Sequence, residues 1–450
     1  MTSAPAARGI RLDISRNPAF IDAEVDIRLG GLIPGDSVIL RATTKDDDDR
    51  TWASHAKFRA DAAGNVDLRS AESLEGTYRG VSPTGLFWSM VLDETHRSGS
   101  STFAKKDVSP NRVSLEAEIN GRIVAAAQLE RNFLAPGTET RDLTVEGEQG
   151  TDARHTVGRL FIPPAANYRR PCPIVIVLSG SGGGFDLDKA AVLSRHGFAT
   201  LALAYFGIPP LPTWLNRIPL EYFEAALSWL SSQLEVDSGR IGILAVSKGA
   251  ELALLLGTMF PQIRAVVAYA ASSVAWAASG RDKATGEIIP SWTHVREQIP
   301  FAPLPLRRFM FRSAIPVALL KKPVMFRNLF RSGLRNRKAI AAAAIPVERI
   351  RGPIMLVSGG DDHLWPAAQM SEAVVTRLKQ KHFAHRVEHL HYPHAGHMLR
   401  YPYLPTTARD SRNAHLRGAR FSFGGSAAAD AEAQSDSWRR AIEFLKTSLQ

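Results

Sequence analysis

The stretch ILAVSKGAELALLLG, residues 243–257, joins a short apolar run to a helix-forming segment. The run Ile243 to Val246 is typical of a buried parallel strand, and the Ala/Leu-rich residues after Gly249 are typical of a core helix. Ser247 lies at the turn between them, where the N–H groups of the first helical turn favour negative charge. The pattern therefore predicts a strand, a tight turn carrying a serine hydroxyl, and a helix.

Ser247 has two interpretations. It is either a catalytic nucleophile or a small residue at the start of a core helix. In the nucleophile turn GxSxG, small residues flank the serine because the strand and helix backbones approach closely. Here Ala245 replaces the first glycine and Gly249 keeps the second, so the sequence differs from the motif by the single methyl group of Ala245. The strand–turn–helix context favours the nucleophile.

The chain around this stretch alternates between buried strands and helices. Strands are predicted at 173–178, 199–206, 241–246, 265–271 and 353–360, and helices at 187–196 and 220–233. Strands that are apolar on both faces and separated by helices indicate a mostly parallel sheet covered on both sides. A closing helix is predicted over 435–449, with Ser435 or Asp436 as its N-cap.

The first part of the chain has a different pattern, because short alternating runs there are separated by Gly, Pro and Asp. Residues 113–130 predict a β-hairpin in which Asn120-Gly121 forms a type I′ turn. Several such strands without a long helical pattern indicate a β-sandwich. We therefore divide the chain into an all-β domain at 1–140 and an α/β domain at 141–450, with an insertion of short helices at about 273–345.

Two further chemistry-bearing groups follow predicted strands. Asp361 and Asp362 come after the strand at 353–360, and the segment 387–399 contains four histidines, His389, His391, His394 and His397. His397 is the preferred base because the small Ala395-Gly396 turn before it leaves its ring free to reach the sheet edge. The order Ser…Asp…His along the chain is that of α/β hydrolases. The two aspartates could instead cap a loop or a helix.

An oxyanion formed by attack of Ser247 on a carbonyl needs two preorganised donors. One is expected to be the backbone N–H of Lys248. The other is expected from the glycine-rich SGSGGG at 179–184, with Ser181 and Gly182 as candidates. A glycine run can also cradle a phosphate, but no GKS or GKT follows this one.

No metal or cofactor is predicted. The histidine cluster has neither a Cys pair nor an HExxH helix beside it, so zinc is disfavoured. The single cysteine, Cys172, precedes an apolar strand and is interpreted as a structural residue. One cysteine, no apolar core of a secretory signal and no peroxisomal SKL ending lead us to expect a cytoplasmic protein.

The composition of the 450 residues, 45% hydrophobic and 22% charged, is ordinary for a globular protein, and no apolar run is long enough to predict a membrane span. The net charge of +11 is concentrated between Phe301 and Lys338, where ten basic residues occur without an acidic one. Prolines interrupt this segment and it matches no recognition motif, which disfavours nucleic-acid binding.

The sequence resembles the acyl-CoA thioesterase and bile acid-CoA:amino acid N-acyltransferase family. The stretches that carry the resemblance run along the whole chain and include GLIPGDSVILRA, SPTGLFWSM, SGSGGGFD, HGFATLALAYFG, LEYFEAALSWL, IGILAVSKGAELAL, GPIMLVSGGDDHLWP and YPHAGHML. The resemblance implies an immunoglobulin-like β-sandwich followed by an α/β-hydrolase catalytic domain. It further implies Ser247 as nucleophile, Asp362 as acid and His397 as base.

The activity that the resemblance implies is hydrolysis of an acyl-CoA to the free acid and CoA through an acyl-serine intermediate. A serine nucleophile points to this branch, because cysteine is typical of the amino-acid-transferring branch. The alternatives are an acyl-CoA:amino acid N-acyltransferase, a serine carboxylesterase, and a binding protein that retains the fold. The basic segment is interpreted either as attracting the phosphates of CoA or as a solvated lid face or anionic-partner surface.

Overall fold

A computed structural model describes residues 9–93, 101–146, 154–281, 285–413 and 419–450. The chain divides into two units. The first comprises Met1–Phe133, Arg400–Arg412 and Ser426–Ser435, and the second comprises Leu134–Leu399, Asn413–Gly425 and Asp436–Gln450. The two C-terminal segments of the first unit were not part of the domain predicted at 1–140. The predicted boundary itself stays a prediction.

The first unit is built mainly from short strands. Its elements are β1 (Arg11–Ile14), β2 (Ala19–Phe20), β3 (Ile27–Gly30), β4 (Ser37–Lys45), β5 (Thr51–Arg59), β6 (Val66–Asp67), β7 (Glu72–Ser73), β8 (Glu75–Gly76), β9 (Gly80–Val81), α1 (Gly85–Trp88), β10 (Val91–Leu92), β11 (Asn111–Ile119) and β12 (Arg122–Asn132). The largest sheet has the order β10-β5-β4-β11-β12-β2, with β8 paired to β5, and β1-β3-β6 form a second sheet. An immunoglobulin-like sandwich for this unit stays a prediction.

The predicted hairpin in this unit is confirmed. Strands β11 and β12 pair antiparallel and are joined by Asn120 and Gly121, whose φ angles are 51° and 76°. Both angles are positive, as a type I′ turn requires. Along β4, buried residues alternate with exposed or half-buried ones, so one face of the sheet packs on the core.

The second unit alternates strands and helices. Its elements are β13 (Glu139–Glu146), β14 (Arg154–Ile162), β15 (Cys172–Leu178), α2 (Leu187–Ser194), β16 (Ala199–Leu203), β17 (Ile218–Pro219), α3 (Glu221–Ser231), β18 (Val236–Val246), α4 (Lys248–Met259), β19 (Ile263–Tyr269), β20 (Ala277–Arg281), β21 (Ile288–Pro290), β22 (Trp292–His294), β23 (Glu297–Gln298), α5 (Leu306–Phe309), α6 (Ile315–Leu319), α7 (Arg327–Leu334), α8 (Arg337–Ala342), β24 (Ile354–Gly359), α9 (Ala367–Gln380), β25 (Val387–Tyr392), β26 (Asp410–Asn413), β27 (Ala419–Ser422) and α10 (Ala427–Ser448); of these, β26 and α10 begin within the first unit.

Eight strands of the second unit form one sheet in the order β13-β14-β16-β15-β18-β19-β24-β25. Strand β14 is antiparallel to both neighbours, and the pairs from β16 to β25 are all parallel. Helices α2, α4 and α9 pack against this sheet. The predicted mostly parallel sheet of an α/β hydrolase is confirmed, and it places the carboxyl ends of β15, β18, β24 and β25 along one edge.

Among its described residues, the insertion predicted as short helices is helical only from Leu306 onward. Residues 277–298 contain the four short strands β20 to β23, and helices begin at Leu306. Ile288, Ile289, Trp292 and Thr293 are β-branched or aromatic residues, which fit a pleated surface better than a short helix.

The closing helix begins earlier than predicted. It starts at Ala427, not near Ser435, and Ser426 precedes it. The Ser426 Oγ accepts a hydrogen bond of 3.3 Å from the N–H of Ala429, as an N-cap side chain does. The alanine-rich residues 427–433 are strong helix formers, so the helix extends back to this earlier cap.

Candidate active site

Ser247 lies in a strained turn between β18 and α4. Its φ and ψ are 58° and −120°, a combination that costs a non-glycine residue on the order of 1–3 kcal/mol. The surrounding backbone holds it there, because the N–H of Ser247 donates to the carbonyl of Tyr269 at 2.8 Å. A Cβ at Gly249 would lie 2.2 Å from the carbonyl oxygen of Ser179, so only glycine fits that position.

Three of the predicted site residues form one hydrogen-bonded chain. The Ser247 Oγ is 3.1 Å from His397 Nε2, and His397 Nδ1 is 2.7 Å from an Asp362 carboxylate oxygen. Because an ionised carboxylate can only accept, the ring proton lies on Nδ1 and the Nε2 lone pair accepts from the serine hydroxyl. His397 and Asp362 are both buried. The three groups come from the ends of three different strands, β18, β24 and β25.

The two adjacent aspartates have different partners. The other oxygen of Asp362 accepts the N–H groups of Leu364 and Trp365 at 2.8 and 3.1 Å, which orients the carboxylate toward His397. Asp361 instead pairs with His363 Nε2 at 3.0 Å and accepts the N–H of Gly425. Of the two, Asp362 is therefore the one that contacts the histidine at the site.

The other three histidines of the cluster do not take part in the hydrogen bonds that join Ser247, His397 and Asp362. His389 and His391 both contact the buried hydroxyl of Ser358, at 2.8 and 3.3 Å. Burial lowers the pKa of His389. His394 is exposed at the start of the turn that leads to His397. Only His397 of the four faces both Ser247 and Asp362.

The glycine-rich loop after β15 lies next to Ser247 through Gly180. A Cβ at Gly180 would be 3.3 Å from the Cβ of Ser247. Ser181 and Gly182 are exposed and form the centre of a turn that the Gly183 N–H closes on the Gly180 carbonyl at 3.2 Å. Lys248 is the first residue of α4, so its N–H has no intrahelical acceptor. Oxyanion roles for Lys248, Ser181 and Gly182 stay predictions.

A buried ion pair that sequence reasoning missed starts at Lys248, the residue after Ser247. The Lys248 ammonium pairs with the Glu251 carboxylate one helical turn away and donates to the Trp276 carbonyl at 3.0 Å. The same Glu251 oxygen accepts from Trp292 Nε1 at 2.8 Å and from the Trp276 N–H at 3.2 Å. Burial lowers the pKa of Lys248 and raises the pKa of Glu251, while their mutual attraction opposes both shifts.

The basic segment is attached to the site by aromatic and polar contacts. Trp365 packs edge-on against the His397 ring and against Phe330 of α7. The distances between the ring centroids are 6.4 Å and 5.5 Å. Arg327, at the start of α7, lies 3.6 Å from Asp361. Its backbone N–H donates to the carbonyl of His363 at 2.9 Å. Helix α7 is therefore joined to the loop that carries Asp362.

The described residues contain neither a metal-binding cluster nor a helix that could span a membrane. Within those ranges, no three His, Cys, Asp or Glu side chains are grouped so as to hold a metal ion. In the same part of the chain, no helix combines the length and apolarity needed to cross a membrane.

Two family models match the chain. Residues 22–145 match the acyl-CoA thioester hydrolase/BAAT N-terminal region, and residues 218–450 match the BAAT/acyl-CoA thioester hydrolase C-terminal region. The chain belongs to the acyl-CoA thioester hydrolase/BAAT family. The resemblance stated from the motifs is thereby confirmed, and Ser247, Asp362 and His397 all lie within the C-terminal match.

Similar proteins in this family include enzymes of two kinds. The peroxisomal succinyl-coenzyme A thioesterase of Mus musculus is 31% identical over 95% of this chain and 94% of its own. The mitochondrial acyl-coenzyme A thioesterase 2 of the same organism is 33% identical over 95% of this chain and 87% of its own. The acyl-coenzyme A amino acid N-acyltransferase 1 of Mus musculus is 32% identical over 98% of this chain and 98% of its own. The cytoplasmic location stays a prediction, since these relatives include peroxisomal and mitochondrial proteins.

Among solved structures, the acylaminoacyl peptidase of Pyrococcus horikoshii has a TM-score of 0.40 at 10% identity, covering 96% of this chain and 60% of its own.

The sequence does contain a signal for the buried pair. Lys248 and Glu251 are charged residues three positions apart at the start of an otherwise apolar helix. Charged side chains in such a helix are seldom fully buried unless they are paired. Their spacing puts both on one helical face. The partners Trp276 and Trp292 are distant in sequence, and only the fold brings them there.

We expect Glu251→Ala to lower the free energy of unfolding by about 3–5 kcal/mol, because it leaves the Lys248 ammonium buried without its counter-charge. Urea unfolding measures the change. The double variant Lys248→Met/Glu251→Gln removes both charges but keeps an oxygen acceptor for the Trp276 and Trp292 N–H groups, and it is expected to recover most of the loss. A double variant as unstable as Glu251→Ala would contradict the ion-pair explanation.

Proposed function

We propose that this protein is an acyl-CoA thioesterase that works through a Ser247–His397–Asp362 triad. The observation that carries the proposal is the hydrogen-bonded chain from the Ser247 hydroxyl through the His397 ring to the Asp362 carboxylate. Membership of the family and the two thioesterase relatives support an acyl-CoA as substrate. This chemistry requires a hydroxyl nucleophile, a base within reach and an acid that orients the base.

In the first half of the reaction, Ser247 Oγ attacks the thioester carbonyl carbon while His397 Nε2 takes the hydroxyl proton. The resulting tetrahedral intermediate carries negative charge on the former carbonyl oxygen. Collapse of this intermediate breaks the carbon–sulfur bond, and His397 returns the proton to the departing CoA sulfur. An acyl-serine remains. Asp362 stays ionised throughout and stabilises the imidazolium that forms on His397.

In the second half, His397 Nε2 takes a proton from a water molecule, whose oxygen attacks the acyl-serine carbonyl. The carbon–oxygen bond to Ser247 then breaks, and the proton passes from His397 to the serine oxygen. The products are the free acid and the regenerated hydroxyl. The strained turn supports both steps, since it holds the half-buried Ser247 beside the N-terminus of α4.

The oxyanion of each step is assigned to two backbone donors. The Lys248 N–H is favoured because it lies next to Ser247 and points out of the first turn of α4 without an intrahelical acceptor. The second donor is assigned to the loop 179–184, at Ser181 or Gly182. The approach of Gly180 to Ser247 supports a donor from this loop. Removal of one such donor typically costs about 2.7–4 kcal/mol of transition-state stabilisation.

Transfer of the acyl group to an amine is the second candidate function. It is favoured by the N-acyltransferase relative, whose identity to this chain, 32%, lies between those of the two thioesterases. The acyl-serine is common to both reactions, and the acceptor decides between them. Product analysis with glycine or taurine separates the two, because only a transferase forms the amide. p-Nitrophenyl esters test the carboxylesterase alternative in the same assay.

Attraction of the CoA phosphates is assigned to the basic segment. Nine of its ten cations are exposed, and Arg327 is half-buried beside Asp361. The attachment of α7 to the Asp362 loop supports a place for these charges near the mouth of the site. Long-range attraction of this kind raises the local concentration of an anionic substrate and weakens with salt.

Ser247→Ala is expected to lower kcat for thiol release by about 10⁴-fold or more across a panel of acyl-CoAs, because the acyl-serine can no longer form. His397→Ala should have a similar effect, whereas His394→Ala, on the same loop but exposed, should stay close to wild type. Full activity of Ser247→Ala would show that the triad assignment is wrong.

Asp362→Asn is expected to lower kcat by about 10⁴-fold, because an amide at this position favours the wrong tautomer of His397. Asp361→Asn is the matched control in the adjacent residue, and it should stay close to wild type because Asp361 pairs with His363 and Gly425. Equal losses in both variants would mean that the loop, rather than the carboxylate of Asp362, is what matters.

In the wild-type protein, the KM for an acyl-CoA is expected to rise as the salt concentration rises. At low salt, the double variants Arg307→Ala/Arg308→Ala and Arg335→Ala/Arg337→Ala are expected to have a KM about two- to tenfold above that of wild type. These variants should also have a flatter salt dependence, because they remove the charges that salt screens. Unchanged KM values with an unchanged salt dependence would exclude attraction of CoA by this segment.

A further inference from the structure

Helices α5 and α6 form one continuous helical run with an unusual outer face. The residues between them, Met310–Ala314, form a π-turn, so the run extends from Leu306 to Leu319. Its inner side is buried: Phe309 and Ala314 form a small core cluster with Val324 and Leu329. The outer side remains exposed.

The exposed side carries large apolar side chains. Of the fourteen large hydrophobic residues that are exposed in the described chain, six lie between residues 306 and 325. Phe311, Leu319 and Leu320 expose 69%, 78% and 69% of their surface. Single exposed apolar residues need no explanation, but a group of them on one short run indicates an interaction surface.

Cations surround these apolar side chains. Arg307, Arg308 and Arg312 lie on the run itself, and Lys321 and Lys322 follow it directly. All five are exposed, and among the described residues none forms an ion pair with a carboxylate. The run therefore presents exposed apolar groups together with unneutralised positive charge.

A cavity of about 300 Å³ beside the run has the same mixed character. Its lining includes Val317, Val324 and Met325 together with the ammonium-bearing Lys322 and the hydroxyl of Ser313. Both the outer face and this cavity therefore suit a partner that is apolar in one part and anionic in another.

We propose that the run Leu306–Lys322 is a docking surface for an anionic lipid bilayer. Phe311, Leu319 and Leu320 would enter the boundary between headgroups and acyl chains, while the five cations contact lipid phosphates and carboxylates. Interfacial helices bind membranes through this combination of apolar side chains and flanking Lys or Arg. An acidic protein segment without apolar side chains would satisfy the cations and leave the protruding apolar side chains in water. The proposal does not rest on the thioesterase activity, because attraction of CoA by charge needs no exposed Phe or Leu.

The test is flotation of the full-length protein with vesicles. Wild type is expected to bind vesicles of phosphatidylcholine with phosphatidylserine, to bind vesicles of phosphatidylcholine alone much less, and to dissociate as salt rises. Phe311→Ser/Leu319→Ser should weaken binding by at least about tenfold at low salt. Each cation removed from Arg307, Arg308 and Arg312 should weaken it by about fivefold.

Two controls match these variants. Leu234→Ser removes another highly exposed leucine of the same unit, and Arg264→Ala removes an exposed arginine outside the run; both should bind as wild type does. All of these positions are exposed, so folding is expected to be unaffected, and circular dichroism checks it. Absence of binding to phosphatidylserine vesicles at low salt would overturn the proposal. So would full binding by Phe311→Ser/Leu319→Ser, or binding of polyglutamate without binding of vesicles.

Discussion

The backbone of Ser247 is the constraint on which the rest of the site depends. A serine with positive φ is held between a central strand and a core helix, and its N–H is bonded to the neighbouring strand at Tyr269. Such a conformation persists only where the surrounding structure determines it. Here Gly249 lets α4 approach the carbonyl of Ser179, and the fully buried Ala245 fits between Leu178 and Ala268 in adjacent strands. The methyl group of Ala245, where the GxSxG motif has glycine, is therefore accommodated within the sheet.

The Lys248–Glu251 pair connects this turn to the inserted segment. Glu251 is completely buried and receives hydrogen bonds from two tryptophan residues as well as from Lys248. Lys248 also lies over the Trp292 ring at 5.4 Å. The residue after the proposed nucleophile is thus anchored by its side chain, while its backbone N–H stays available in the first helical turn. Anchoring of this kind limits the motion of the proposed oxyanion donor, and such donors act best when they are preorganised.

The strands, the α/β class and the three groups of the proposed triad were predictable because each depends on local patterns. The continuous apolar runs specify buried strands, and strand ends in a parallel sheet meet at one edge. The choice of His397 from four histidines followed from the small residues before it. By contrast, the strands at 277–298 and the start of the last helix at Ala427 were predicted wrongly. At 288–293, β-branched and aromatic residues favour strand, and at 427–433, alanines favour helix. The prediction did not use either of these local preferences.

The sequence by itself determined which residue types are present at the ends of the strands and in what order, since periodicity and glycine placement are local properties. Local pattern left Asp361 and Asp362 equivalent and the family resemblance implied Asp362, but only the tertiary structure turned Asp362 toward the His397 ring and Asp361 toward His363. Only the tertiary structure, likewise, brought Trp276 and Trp292 to Glu251 and left Phe311 and Leu319 exposed. Contacts between residues far apart in sequence arise from packing, which no local pattern records. The stretch around Ser247 predicted a hydroxyl at the turn, and the folding of the chain brought His397 into contact with it.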